Sequence, residues 1–268
     1  MDRSESFGEV ASLYERYRPG PPLQAVEWML PAHAERIVDL GAGTGALTRM
    51  LVDMAPEVVA VEPDPRMRAV LTREVPRARA VAGRGDSMPL PDAFADAVLA
   101  SSSWHWMDPL PTLLEVGRVL VPGGVLGAVW SGPDPEGPFL MQARALLADR
   151  ARGGAGPAGE GDGGLDESEF ATFIQGDGNR PSMGLAIPPG VPFDQPEHKV
   201  LTWDVPLNAD DLIGLLGTFS WVILMPEPAR HRLLSEARRL LSDLLGVEGD
   251  VTVDVSFRAE AWRSRRTS

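Results

Sequence analysis

Two carboxylates bracket a run of glycines near the start of this chain. Asp39 comes first, Gly41, Gly43 and Gly45 follow at alternating positions, and Glu62 ends the next apolar run. Glycine turns tightly and leaves bare backbone for a ligand to lie against. An ionised carboxylate accepts hydrogen bonds more strongly than a neutral group, and one at a strand's end can take both hydroxyls of a ribose. Ile37, Val38 and Leu40 make the segment around Asp39 a short buried strand, and ALTRMLVDM (46–54) continues as an apolar-periodic helix. Strand, glycine turn and helix in this order predict a nucleotide-like cofactor at the first strand-to-helix turn of a doubly wound sheet.

The glycines serve two cofactor classes. Gly41-x-Gly43-x-x-Ala46 satisfies the dinucleotide fingerprint, with Glu62 about where its ribose-binding acid belongs, so an NAD(P)-dependent oxidoreductase is the alternative reading. Asp39 two residues before the first glycine, and the third glycine at Gly45, tip the balance. DLGAGTG (39–45) resembles motif I of class I S-adenosylmethionine (SAM)-dependent methyltransferases. In VVAVEPDPRM (58–67) a strand ends at Glu62, and Pro63 with Pro65 starts a helix. GRGDSMPLPDAFADAVLASSSWHWM (83–107) resembles the methyltransferase segment in which an acid after strand three receives the adenine amino group. That resemblance gives the role to Asp86, puts the backbone around Ser87 and Met88 beside the ring, and ends strand four at Ser101. In RVLVPGGVLGAVW (118–130), Pro122-Gly123-Gly124 stops a helix and a fifth strand follows.

The N-terminal FGEVASLYERYRPGPP (7–22) and the SSWHWMDP segment (102–109) resemble the type-11 methyltransferase branch that includes trans-aconitate methyltransferase-like proteins. The resemblance implies an opening helix that folds over the cofactor, with Tyr14 stacking on it and Arg18 pairing with the methionine carboxylate through its planar fork. The implied cofactor-binding set is Asp39, Gly41, Ala42, Gly43, Gly45, Glu62, Pro63, Asp86, Ser87, Ser101, Tyr14 and Arg18. Methyl transfer is an in-line displacement that needs orientation and exclusion of water more than it needs a triad. A base is required only for an acceptor that arrives protonated. His105, after strand four, is the candidate base; the competing reading is that it packs between Trp104 and Trp106 or bonds to backbone.

These residues need a scaffold. Alternating strands and helices predict an α/β, doubly wound Rossmann-like sheet of seven strands, mostly parallel, with helices on both faces. The resemblance implies an antiparallel last strand, which a plain dinucleotide-binding dehydrogenase lacks. The expected organisation is a helical lid (1–35), a SAM-binding core (36–131) and a cap or substrate insertion after strand five (132–198). The insertion carries a flexible Gly-rich loop at 153–164, and residues 199–268 supply strands and helices that complete the sheet. Within the last part, Leu233, Ala237, Leu240, Leu241 and Leu244 form an apolar helical stripe that Gly246 ends.

Composition narrows the partners. The 268 residues carry a net charge of −13, against nonspecific nucleic-acid binding, and contain no cysteine, so no disulfide, thiolate nucleophile or Cys-based zinc site. The four histidines are scattered, so no metal is expected. No signal-peptide pattern or membrane-length apolar run is present, and a cytoplasmic enzyme acting on a small-molecule methyl acceptor is expected, with no nucleic acid and no membrane. A SAM-binding protein without methyl transfer would have the same motifs.

Overall fold

The computed structural model describes Tyr17, residues 20–142, Ala145, residues 184–223 and residues 225–267. Tyr14, Arg18, the Gly-rich loop at 153–164 and the short helix expected at 166–175 lie outside these residues.

Strands form where apolar residues run without interruption. β1 (Arg36–Leu40), β2 (Glu57–Val61) and β4 (Ala95–Ser101) are buried along nearly their whole length, as parallel strands covered on both faces must be. With β3 (Arg79–Val81), β5 (Leu120–Pro133), β6 (Glu197–Leu207) and β7 (Val253–Arg265) they make one seven-stranded sheet of order β3-β2-β1-β4-β5-β7-β6. β7 runs antiparallel to both β5 and β6, and the pairs β2–β3, β1–β2, β1–β4 and β4–β5 are parallel. The reversed strand closes the chain, as expected, but it inserts between β5 and β6 and does not lie on the edge. This order is not the 3-2-1-4-5-6 of a dinucleotide-binding dehydrogenase.

Helices cover both faces. α1 (Leu23–Met29) and α2 (Ala46–Leu51) pack with Ile37, Val58, Ala97, Leu99 and Val129 on one side. α3 (Pro65–Glu74) starts at the expected proline, with Asp64 capping it by accepting a bond from the Arg66 amide. α4 (Pro109–Val119) buries Leu113 and Val116 on the opposite face, against Val98, Leu126 and Ala128. It ends before Pro122-Gly123-Gly124: strand β5 begins at Leu120, and the proline and glycines form an irregularity between the Ala95–Leu120 and Ala97–Val125 pairings.

Beyond β6, Asn208 and Asp211 form a reciprocal capping box at the start of α5 (Ala209–Gly217). A short helix α6 (Ser220–Ile223) precedes α7 (Glu227–Leu245). Leu233, Ala237, Leu240 and Leu241 are buried along α7, which stops at Gly246 with φ of 64°. The sequence stripe therefore locates this helix's inner face.

Gly127 marks where α1 approaches the sheet. A Cβ there would fall 2.5 Å from Leu99 Cδ2 and 3.0 Å from Met29 Sδ. Gly127→Ala should cost roughly 1–3 kcal/mol by overpacking. A lower urea midpoint with an unchanged slope would show it; an unchanged midpoint would contradict the close approach.

Candidate functional site

A cavity of about 510 Å³ opens at the carboxyl ends of β1, β2, β4 and β5, within the range of small-molecule and cofactor sites. Parallel α/β sheets place their ligands at this end because the loops that leave the strands splay apart there. Among the described residues it collects Asp39, Gly41, Ala42, Gly43, Glu62, Pro63, Asp86, Ser101 and His105 from the expected set.

The glycine turn is built by backbone conformation and by Glu62. Gly41 and Gly43 have φ of 69° and 58°, which side chains rarely tolerate. A Cβ on Gly41 would also meet the Ser103 side chain at 2.6 Å. The Gly41 amide donates to Val61 O at 2.8 Å, which hangs the turn from the end of β2. The Glu62 carboxylate then accepts from Gly43 N through Oε2 and from Asp64 N through Oε1, each at 2.9 Å. Arg68 donates to the carbonyls of Glu62 and Pro63 and holds this stretch from α3. Glu62 is 6% exposed, so it is no solvated surface acid.

Asp39 lies at the end of β1, 1% exposed, and accepts a 2.6 Å bond from Thr48 Oγ1 on α2. Burial pushes its pKa up to about 7, the hydroxyl opposes the rise, and the Glu62 charge adds to it. Burial also raises the Glu62 carboxyl, against the two amides that favour its ionised form. The cavity floor is therefore acidic, and its charges have been taken out of water.

The loop after β3 is held from below. Glu115 accepts from the Met88 amide at 2.7 Å and pairs with Arg118, which also bonds Leu90 O and Asp92. Arg118 keeps the Glu115 carboxyl below its usual range. Asp86 reaches the cavity from this loop, with Arg84 Nε 3.7 Å from its carboxylate. Ser87 does not line the cavity: its amide bonds Arg84 O and its carbonyl accepts from Arg84 N in a tight turn. The Met88 amide is also committed, so both of these N–H groups are bonded within the chain. Gly45 is likewise outside the lining, and a Cβ there would fall 3.1 Å from Val75 Cγ2 and 3.2 Å from Leu71 Cγ.

At the far end, Ser102 turns the chain out of β4 with φ of 52°, a strained value for a non-glycine residue. A 3₁₀ turn over Trp104–Trp106 follows. Trp104 is buried, whereas His105 and Trp106 line the cavity, their ring centroids 4.7 Å apart. Trp130, at the end of β5, faces the cavity and donates its indole N–H to His105 Nδ1 at 3.2 Å. His105 therefore pairs with a side chain from another strand, a partner that neither sequence reading anticipated.

Several lining residues were not singled out from the sequence. Phe257, Arg258 and Glu260 come from β7, with Arg258 Nη2 3.2 Å from Glu260 Oε1. Leu215, Thr218 and Phe219 come from α5 and the turn after it. α5 and the turn after it thus border the cavity, and Tyr17 packs on Gly214 of α5. Alternation in VTVDVSFRAEAW marks a half-buried strand, but which face meets a ligand depends on where β7 enters the sheet. Among the described residues, no three His, Cys, Asp or Glu side chains converge as a metal site.

Comparison with known proteins gives the geometry its kinship. Residues 38–128 match a family model described as a methyltransferase domain. An uncharacterized methyltransferase of Mycobacterium tuberculosis is 36% identical over 241 residues, covering 90% of this chain and 87% of the relative. A structure described as a type II methyltransferase from Anaeromyxobacter dehalogenans superposes with a TM-score of 0.59 at 23% identity, over 93% of this chain and 98% of the other. A Haemonchus contortus N-methyltransferase, solved with phosphomonomethylethanolamine and S-adenosylhomocysteine, has a TM-score of 0.51 at 15% identity, over 100% of this chain and 59% of its own. The last two are likenesses of fold. The relative that matches along nearly its whole length, together with the family model, establishes that this chain belongs to the methyltransferase family.

Proposed function

We propose that the protein is a SAM-dependent methyltransferase acting on a small molecule. The observation that carries this reading is the buried carboxyl of Asp39 beside the glycine turn, with Glu62 buried at the end of the next strand. A dinucleotide would press its pyrophosphate against this turn beside the buried carboxyl of Asp39, which disfavours an anion, whereas Glu62 suits the ribose of either cofactor. SAM brings no phosphate; it brings a sulfonium, an ammonium and two ribose hydroxyls, which suit acidic acceptors. Glu62 takes the ribose, Asp86 the adenine amino group, and Asp39 the cationic end. Gly41, Ala42, Gly43 and Pro63 supply close backbone, and Ser101 borders the same cleft.

When bound, SAM supplies an electrophilic methyl carbon. The chain's task is then to align a nucleophile with that carbon and sulfur and to keep water out. Orientation of this kind is worth roughly 7–11 kcal/mol in favourable cases. The acceptor space is the end bounded by His105, Trp106, Trp130, Phe219 and Arg258. The cavity's volume of about 510 Å³ favours a small molecule, and the chain's net charge of −13 disfavours nucleic acid. We place the enzyme in the cytoplasm on its lack of cysteine; among the described residues no helix is long and apolar enough to cross a membrane.

Three outcomes follow from this assignment. Incubation with methyl-labelled SAM and a metabolite extract should move label into the small-molecule fraction. Cofactor binding without any transfer would leave a SAM-binding protein. Glu62→Ala should weaken S-adenosylhomocysteine binding by roughly ten- to a hundred-fold, because hydrogen bonds to a charged acceptor are lost; equal affinity would remove Glu62 from the ribose.

Asp39 gives a pH signature. Its folded pKa of about 7 exceeds the ordinary 3.8, so this group favours folding most below the lower value. That contribution is lost as pH rises toward the folded value. A bound sulfonium favours the ionised form, so SAM binding should expel a proton near neutrality and tighten between about pH 6 and 8. Calorimetry in buffers of different ionisation enthalpy reads the proton, and Asp39→Asn should abolish its release. Release that persists in the variant would assign it to another group.

A further inference from the structure

Glycine is, after proline, the poorest helix former. Gly214 nonetheless stands inside α5, at the sixth of its nine positions, and no positive φ explains it. What explains it is Tyr17. A Cβ at Gly214 would fall 2.4 Å from both Cδ1 and Cε1 of that ring and 2.5 Å from Cγ, so the ring lies against the helix backbone itself. Even a methyl group would push it off.

The contact joins two walls of the cavity. On the α5 side, Leu215 follows Gly214 directly and Thr218 and Phe219 come about one turn later; all three line the cavity. On the other side, Gly20 and Pro21, three and four residues after Tyr17, also line it. The Cβ position of Gly20 is 3.7 Å from Ala46 O and 3.9 Å from Met50 Sδ, both on α2, the helix that follows the glycine turn. Tyr17 therefore touches α5 where Gly20 borders α2, and this short stretch ties the two helices together beside the cofactor site.

We propose that Tyr17 and Gly214 form a latch: the ring's seat on α5 holds the Gly20–Pro21 wall against bound cofactor and slows its release. The proposal rests on the methyltransferase reading above and adds to it what keeps the cofactor in place. Neither Tyr17 nor Gly214 lines the cavity, so both are positioning residues that act through the walls they join. Opening the wall means lifting an aromatic ring from apolar backbone into water, which makes the closed form the long-lived one.

Gly214→Ala tests the latch by sign. Alanine is the better helix former, so α5 itself gains, while the half-buried ring loses its seat and lifts away. Labelled S-adenosylhomocysteine, chased with unlabelled ligand, should leave this variant about ten-fold faster than wild type, with no fall in the urea midpoint. Tyr17→Ala should speed release by a similar factor, and the double variant should be no faster than either single one, because the same contact is removed twice. Wild-type release in either single variant, additive effects in the double, or a lowered midpoint in Gly214→Ala would overturn the latch. Titrating the wild type with S-adenosylhomocysteine separates the two layers. No binding would strike the methyltransferase reading and the latch with it, whereas binding with unchanged release in the variants would strike the latch alone.

Discussion

Glu62 stands at the end of β2 with its carboxylate buried, and burying a charge costs free energy unless fixed donors answer it. Here the donors are the amides of Gly43 and Asp64, so one side chain ties the glycine turn to the start of α3. The Gly41 bond to Val61 O draws the same turn against β2. Asp39, answered by Thr48, joins β1 to α2 in the same way. The turn's shape, its acidity and the position of two helices all depend on these few bonds. Removing either acid therefore changes the scaffold together with any ligand contact.

This arrangement explains how one glycine motif can suit different cofactors. The backbone cradle is shared, but the groups beneath it decide which charge is welcome. A desolvated carboxyl at Asp39 favours a cation and penalises a pyrophosphate, and the reversed β7 between β5 and β6 separates the sheet from the plain dinucleotide-binding order. Beyond β5 the same reversed strand carries Arg258 and Glu260 to the cavity, so the strand that marks the fold also lines the cavity.

Much of the glycine-turn end of the cavity was legible because it is local. Asp39, the glycines and Glu62 sit within 24 consecutive positions, and a buried strand, a turn and a helix fix their relative places with little help from elsewhere. Ser87 and Gly45 show the limit: nearness in sequence put them in the motif, but the Arg84 turn and the Leu71–Val75 packing direct them away from the cavity. The opposite end of the cavity was not legible because it is assembled from distant segments. No local pattern announces that Trp130 reaches His105 across the β4–β5 edge, or that Phe219 and Arg258 share a wall with them. The boundary of α4 slipped for a related reason: Leu120 pairs with Ala95, so tertiary pairing ends the helix before the proline and glycines do.

The central claim is that the acidic glycine cradle binds a sulfonium nucleoside and not a dinucleotide. Calorimetric titration of the wild-type protein with SAM, S-adenosylhomocysteine and NAD(H) under one set of conditions tests it most directly. The account predicts saturable binding of the first two and none of the third. Binding of NAD(H) with no response to either sulfur nucleoside would contradict it.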